Sequence, residues 1–389
     1  MTEDNRTVPN LAARAKECPL PVKDGLRAIL ITGQQGSGKA AWAQRKFPER
    51  TLVSCRSVKA WNLAKNSPLA FFELYGKTSA VTDCELAPEL LDFVTENPEA
   101  VHGPVVLVGN PRRSQIERLR ERLGSAAEVI EVSPYENPAF EATAWTGADP
   151  HAKLAGFYAA MMEGKLPALA GEKPQRFWAD WLTELIDLVA GKILRTESPN
   201  TFYRFMKTLA EQAGQEINFS EAGRACSVSS VTAKAWAEAL EDARVIRMIR
   251  PLKTPTRRPV KHSRMIFRDT GLALYLSDVI TEEQLREHGN LRGFVLNEIA
   301  SSRLSGSTGS ELFHFRDSNK VEIDLVEVTG STCRAVSVAI PAELQERKRK
   351  QLRILSEFGL ELQSALLVCA GEPQPMKSSP LPVKTVELA

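Results

Sequence analysis

The chain has no C-x-x-C pair. Its six cysteines, Cys18, Cys55, Cys84, Cys226, Cys333 and Cys369, are scattered over 389 residues. That spacing excludes a cysteine-based zinc module and a disulfide framework, and it fits a reducing compartment. Aromatic residues make up only 7%, and no apolar run approaches the ~20 residues of a membrane-spanning helix. The segment Met1–Asp24 has no apolar core of the signal-peptide kind, so the expectation is a cytoplasmic protein with no membrane partner. Charge of one sign is missing as well: 50 Lys and Arg against 48 Asp and Glu leave a net +2. Any affinity for a polyanion must therefore come from local concentration of charge. The remaining composition, 43% apolar and 25% charged, is that of an ordinary globular protein with room for two or three domains.

One further absence carries more chemistry. Ile29-Leu30-Ile31-Thr32 runs directly into Gly33-Gln34-Gln35-Gly36-Ser37-Gly38-Lys39, and Ala40-Ala41-Trp42-Ala43-Gln44 continues as a helix former. This is strand, G-x-x-x-x-G-K loop and helix, the context a phosphate-binding loop requires. Glycines let successive N–H groups turn toward an anion, and the helix N-terminus adds partial positive charge. Lys39 is expected to reach the outer phosphates. The next position should carry the hydroxyl that holds Mg²⁺, and it is Ala40. Ser37 precedes Gly38 in the turn and cannot replace it. The loop Gly33–Ala40 thus predicts ATP or ADP binding with Mg²⁺ weakly held and hydrolysis in doubt.

Along the chain, residues 1–25 read as a flexible leader. Short apolar runs at Ala28–Thr32, Thr51–Ser54, Ser79–Thr82, Pro104–Val108 and Glu128–Val132 alternate with helical patterns over residues 26–137. That alternation predicts a parallel sheet covered on both faces. Residues 138–199 read as a helical lid or linker. Helices at Thr201–Ala213, Ser220–Cys226 and Ser229–Leu240, then strands at Arg244–Arg250 and Arg264–Phe267, predict a winged helix over 200–268, with Ser229 or Ser230 as a cap. Between Ala243 and Arg268 there is no Asp or Glu, while Arg244, Arg247, Arg250, Lys253, Arg257, Arg258, Lys261, Arg264 and Arg268 are all basic. Such a wing is expected to meet duplex DNA through its phosphates. A protein partner or a second copy of the chain is the competing reading. Residues 269–389 mix a helix around Arg292–Leu304 with four strands, a further α/β domain.

The loop, Thr82-Asp83-Cys84-Glu85 with Ala87-Pro88-Glu89-Leu90-Leu91, Val106-Leu107-Val108-Gly109-Asn110, Val132-Ser133-Pro134, Phe267-Arg268-Asp269-Thr270-Gly271-Leu272, and Phe315-Arg316 before Val321-Glu322-Ile323-Asp324-Leu325 follow one another in order. This set resembles prokaryotic AAA-type ATPases joined to an uncharacterised winged-helix and restriction-endonuclease-like region. The resemblance spans residues 26–340. It implies an α/β chain: a P-loop AAA-type parallel-sheet domain, a helical segment, a winged helix and a PD-(D/E)xK-like α/β domain.

In such ATPases a strand ends in adjacent acids, one ordering Mg²⁺ and the next polarising the attacking water. Here the acids are Asp83 and Glu85, separated by Cys84, and either could be the functional one. The resemblance places a γ-phosphate sensor at Asn110, while Arg112 and Arg113 beside it read most simply as a solvated turn. In the last domain it implies metal ligands at Glu298 and Asp324. The Glu-x-Lys motif of such nucleases falls on Ser337 and Ala339, so the expected nuclease is inactive. The leading reading is a nucleotide-binding protein that couples nucleotide state to DNA through the wing. The rivals are a non-hydrolysing sensor for protein partners and a residual metal-dependent nuclease.

Overall fold

A computed structural model describes residues 25–101, 103–132, 150–166, 173–196, 198–255, 257–306, 310–341, 343–370 and 383–388. The leader, Ser133-Pro134 and the start of the lid fall outside these residues. By contacts the chain divides into two units. One holds Met1–Thr32 with Gly38–Val132, the other Gly33–Ser37 with Ser133–Ala389.

The first unit alternates β1 (Ala28–Thr32), α1 (Lys39–Lys46), β2 (Thr51–Ser54), α2 (Val58–Asn66), α3 (Pro68–Tyr75), β3 (Ser79–Thr82), α4 (Pro88–Glu96), β4 (Val105–Val108), α5 (Arg113–Leu123) and β5 (Ala127–Glu131). All five strands pair in parallel, in the order β2-β3-β4-β1-β5. Every residue of β1 is buried, as a central strand covered on both faces must be. Leu30 and Leu107 belong to one core cluster, Ile29, Ile31 and Val106 to another. The pleat thus sends successive side chains to opposite faces.

The second unit begins with α6 (Pro150–Glu163) and α7 (Pro174–Ile186), the latter continuing as a π-helical stretch, Asp187–Ile193. Then come α8 (Pro199–Ala210), α9 (Phe219–Cys226) and α10 (Ser230–Asp242), followed by β6 (Ile246–Pro251) and β7 (Arg264–Phe267), which pair antiparallel. Side-chain caps set the helix starts: Ser198 accepts from Thr201 N, Asn218 from Ser220 N and Ser229 from Thr232 N. The remaining elements are α11 (Thr270–Leu276), α12 (Glu282–Glu287), α13 (Leu291–Gly306), β8 (Glu311–Arg316), β9 (Glu322–Thr329), β10 (Thr332–Ala339), α14 (Leu344–Gln351), β11 (Glu361–Ala370) and β12 (Val383–Leu388).

Buried residues from 138–199, 200–268 and 269–389 pack together in this unit. One core cluster runs from Phe157 through Trp236 to Val368. The β6–β7 pair joins the following sheet because Arg250 and Pro251 pair in parallel with Phe313 and His314. The outer edge of β6 is thereby covered, which an edge strand otherwise leaves open. The described strands form one sheet of order β12-β11-β10-β9-β8-β6-β7. Where α13 begins, it passes the turn after α8 at backbone contact. A Cβ on Gly214 would lie 2.1 Å from the Gly293 carbonyl oxygen, and one on Gly293 would lie 2.4 Å from that of Ala213.

Buried ions tie β7, β9, α13 and α14 together. Asp324, fully buried, accepts from Val338 N at 2.7 Å, from Lys348 Nζ at 3.0 Å and from Arg292. Glu322 accepts from Arg264 at 2.7 Å and Lys348 at 2.8 Å. Removing one partner of such a network strands buried charge. Asp324→Ala is therefore expected to cost about 3–5 kcal/mol in denaturant unfolding. A loss below about 1 kcal/mol would mean that the network contributes little.

His314 sits beside this network, fully buried, with Nε2 donating to the His262 carbonyl at 3.1 Å. Burial and the Arg264 charge push its pKa down to about 4. A histidine depressed in the folded state stabilises above its unfolded pKa of ~6.5 and loses that contribution as pH falls toward 4. Asp269, raised to about 6 by burial, acts with the opposite sign below that pH. Comparison with His314→Gln isolates the histidine. Between pH 7 and 4 the wild type should lose roughly 3 kcal/mol more unfolding free energy than the variant. Parallel curves would refute the assignment.

Candidate functional site: the phosphate loop and the acids beside it

The loop between β1 and α1 has the backbone that the sequence predicts. Gly38 caps α1 in the left-handed region, φ 79° and ψ 17°, a conformation natural to glycine. No side chain caps α1 and no acid lies in its first turn. The first N–H groups of a helix lack intrahelical partners, so this N-terminus is left to an anion. Within the loop, the Gln34 amide and the Ser37 hydroxyl are buried without a partner among the described residues. Buried polar groups of that kind call for a ligand or water. A nucleotide phosphate fits this loop.

Gly33–Ser37 groups with the second unit, through contacts the sequence did not disclose. Trp181 Nε1 donates to the Gln35 carbonyl at 3.0 Å, and Gln35 Nε2 donates to Glu184 at 2.8 Å. A Cβ on Gly36 would meet Leu166 at 3.4 Å and the Trp181 indole at 3.5 Å. On α7, Trp178 and Trp181 are core residues, and Trp181 also meets Gly33–Ser37.

The two acids separate cleanly. Glu85 Oε2 accepts from the backbone N–H of Asn110 at 3.0 Å. Burial raises its pKa, opposed by the Lys39 charge. Lys39 is in turn lowered by burial, while Glu85 and Asp83 favour its charged form. Glu85 is thus the carboxylate associated with both the loop lysine and the end of β4. Asp83 turns the other way. It is a non-glycine residue at φ 56°, and it accepts from Ser54 Oγ at 2.7 Å, Thr82 Oγ1 at 3.1 Å and Arg56 Nε at 2.8 Å. Burial alone would raise its pKa, but these hydrogen bonds and the Arg56 charge hold it below the usual carboxylate range. Asn110 is buried, and its backbone N–H is the group that meets Glu85. Arg113 pairs with Glu117 at 3.2 Å, in keeping with a solvated turn.

The fit for Mg²⁺ is poor. Ala40 supplies no oxygen, and both oxygens of Asp83 are engaged by donors. Mg²⁺ asks for near-octahedral oxygen ligation, with one or two carboxylates beside substrate phosphates. No step can be routed through the metal on these residues.

Glu298 and Asp324 do not form the expected metal pair. Glu298, fully buried, is neutralised by Lys165 Nζ at 2.9 Å and accepts from Thr270 Oγ1. Asp324 is held by the network described above. Ammonium and guanidinium groups thus occupy the lone pairs a cation would need. No group of three or more potential ligands occurs among the described residues.

The basic residues expected to form a wing divide in two. Arg264 is 2% exposed and donates to Glu322 and to the Gly214 carbonyl. Arg257 spans Asp317 at 2.9 Å and Glu357 at 2.8 Å. Arg244 reaches the carbonyls of Glu241 and Asp242, and Arg247 lies 3.6 Å from Glu241. Arg250, Lys253, Arg258 and Lys261 are exposed.

A model for a domain of unknown function (DUF8612) matches residues 157–283. The chain is 24% identical over 318 residues to an uncharacterised protein of Mycobacterium tuberculosis and equally to one of Mycobacterium bovis, covering 78% of this chain and 68% of theirs. Among solved structures it is similar to a Walker-type ATPase of Pyrococcus abyssi, with 12% identity, coverage of 64% of this chain and 91% of that one, and a TM-score of 0.36. It is also similar to a structure of Drosophila ORC bound to AT-rich DNA and Cdc6, with 9% identity, coverage of 67% and 87%, and a TM-score of 0.20. TM-scores this low establish no common fold over the whole chain.

Proposed function

We propose that the chain binds ATP or ADP through Gly33–Ala40 and hydrolyses it weakly or not at all. The observation that carries this reading is the uncapped N-terminus of α1 beside Lys39, with buried polar groups in the loop left without partners. Glu85 is the acid placed to act on a water near the phosphates, since Asp83 is committed to Ser54, Thr82 and Arg56. The missing oxygen at Ala40 removes a metal ligand from the same site. The protein is then a nucleotide-responsive binding protein first and an enzyme second.

The exposed part of the wing supports a second element of this reading, a contact with duplex DNA through phosphates. Arg250, Lys253, Arg258 and Lys261 are the residues proposed for it. Of the eight basic residues between Arg244 and Arg264 they are the four exposed ones, so the contact is smaller than the sequence count implies.

A fluorescent ATP analogue should bind the wild type and lose about tenfold or more in affinity with Lys39→Ala, a change of at least ~1.4 kcal/mol. Equal affinities, or no binding by the wild type, would remove the nucleotide reading. Duplex binding should weaken with salt at a log–log slope of up to about −3.6 for four phosphate contacts. Replacing Arg258 and Lys261 together by Glu should flatten that slope by about half. Salt-insensitive binding would favour a protein partner instead.

A further inference from the structure

Ser54 and Thr82 stand opposite one another in the β2–β3 register. Arg56 and Asp83 therefore emerge from neighbouring strand ends. Asp83, in its left-handed conformation, turns its carboxylate toward β2, where Arg56 Nε meets Oδ1 at 2.8 Å and Ser54 Oγ meets Oδ2 at 2.7 Å. The Arg56 backbone N–H donates to Ser54 Oγ at 3.1 Å, which fixes the arginine's own backbone at the same point. Burial lowers the Lys39 pKa, Glu85 and Asp83 oppose that, and the Arg56 charge makes a smaller contribution in the same direction as burial. A second cation thus stands on the strand-end edge that leads into the loop, bound to Asp83. The hydroxyl that would complete the metal's ligand set is replaced by the Ala40 methyl group.

We propose that the nucleotide site works without a divalent metal: Arg56, anchored by Asp83 and Ser54, supplies the positive charge that Mg²⁺ would bring, so that the ligand is the metal-free polyphosphate. This rests on the nucleotide reading of the loop and goes beyond it in naming the ionic form of the ligand and the residue that selects it. Guanidinium is permanently charged and matches phosphate oxygens geometrically, which suits it to the role. The Asp83 carboxylate is then an anchor for Arg56. Removing the arginine would free that carboxylate for a metal and invert the preference of the site.

The test uses the full chain and a fluorescent ATP analogue titrated in EDTA and in millimolar Mg²⁺. Wild-type affinity should differ by less than about threefold between the two conditions, under ~0.7 kcal/mol. Arg56→Ala should bind about tenfold more weakly in EDTA and recover part of that loss with Mg²⁺, whereas Arg56→Lys should retain metal-independent binding. Thermal melts of each variant establish that it is folded. Should Arg56→Ala fail to fold, Mn²⁺ binding to the nucleotide-loaded wild type, followed by electron paramagnetic resonance, decides the matter: no protein-bound Mn²⁺ supports the proposal and a stoichiometric site overturns it. Wild-type binding that collapses in EDTA, or Arg56→Ala binding as tightly as wild type there, also overturns it while leaving the nucleotide reading intact. Absence of binding in both conditions overturns the nucleotide reading itself.

Discussion

Parallel pairing of β1 with β4 and β5, and of β3 with β2 and β4, is the constraint from which the first unit's chemistry follows. Strands that all run the same way end on the same edge of the sheet. Thr32 therefore hands the chain to the glycine-rich loop along the edge where Ser54, Thr82 and Val108 also end. Lys39, Arg56, Asp83, Glu85 and Asn110, far apart in sequence, are gathered there by topology. No individual contact assembles the site, and each side chain needs only a short reach from a strand end.

Much of that edge was legible in the sequence. The bounds of β1, β2 and β3 agree with the runs that marked them; burial explains this for β1 and β3, which lie inside the sheet, while β2 is a half-exposed edge strand. The loop was legible because its glycines have a local conformational reason. The division of labour between Asp83 and Glu85 was not, since period-two alternation places both on one face only while a strand continues. The chain turns at Asp83, so alternation stops applying there. Arg56 escaped notice because nothing local marks it: its meaning comes from a partner 27 residues away, fixed by strand register. The same limit explains the wing. A count of basic residues between 243 and 268 sees no acid, while Asp317, Glu322 and Glu357 arrive from later elements to meet Arg257 and Arg264.

The second unit spends its buried charge on architecture. Residues that resemble a nuclease's metal ligands sit in ion pairs with lysines from α14 and from the turn after α6, whose roles no periodicity announces. A lysine beside Asp324 keeps the electrostatic demand of a metal site while removing the vacancy. Three cations, Arg292, Arg264 and Lys348, meet the two acids Glu322 and Asp324 there. Such a centre fixes the relative placement of two helices, α13 and α14, and the strands β7 and β9 more tightly than apolar packing alone, which adapts to small shifts.

The contact of Gly214 with Gly293 bears on the same centre from a distance. Arg292 is the neighbour of Gly293, and its guanidinium reaches Asp324 and Glu322 from the first turn of α13. Any side chain at Gly214 would press on the Gly293 carbonyl and lift that turn away. Two hydrogen atoms in place of two side chains thus act as a spacer of minimum thickness. They set how far into the sheet the arginine can extend, and so how closely the helix and the ion network are joined.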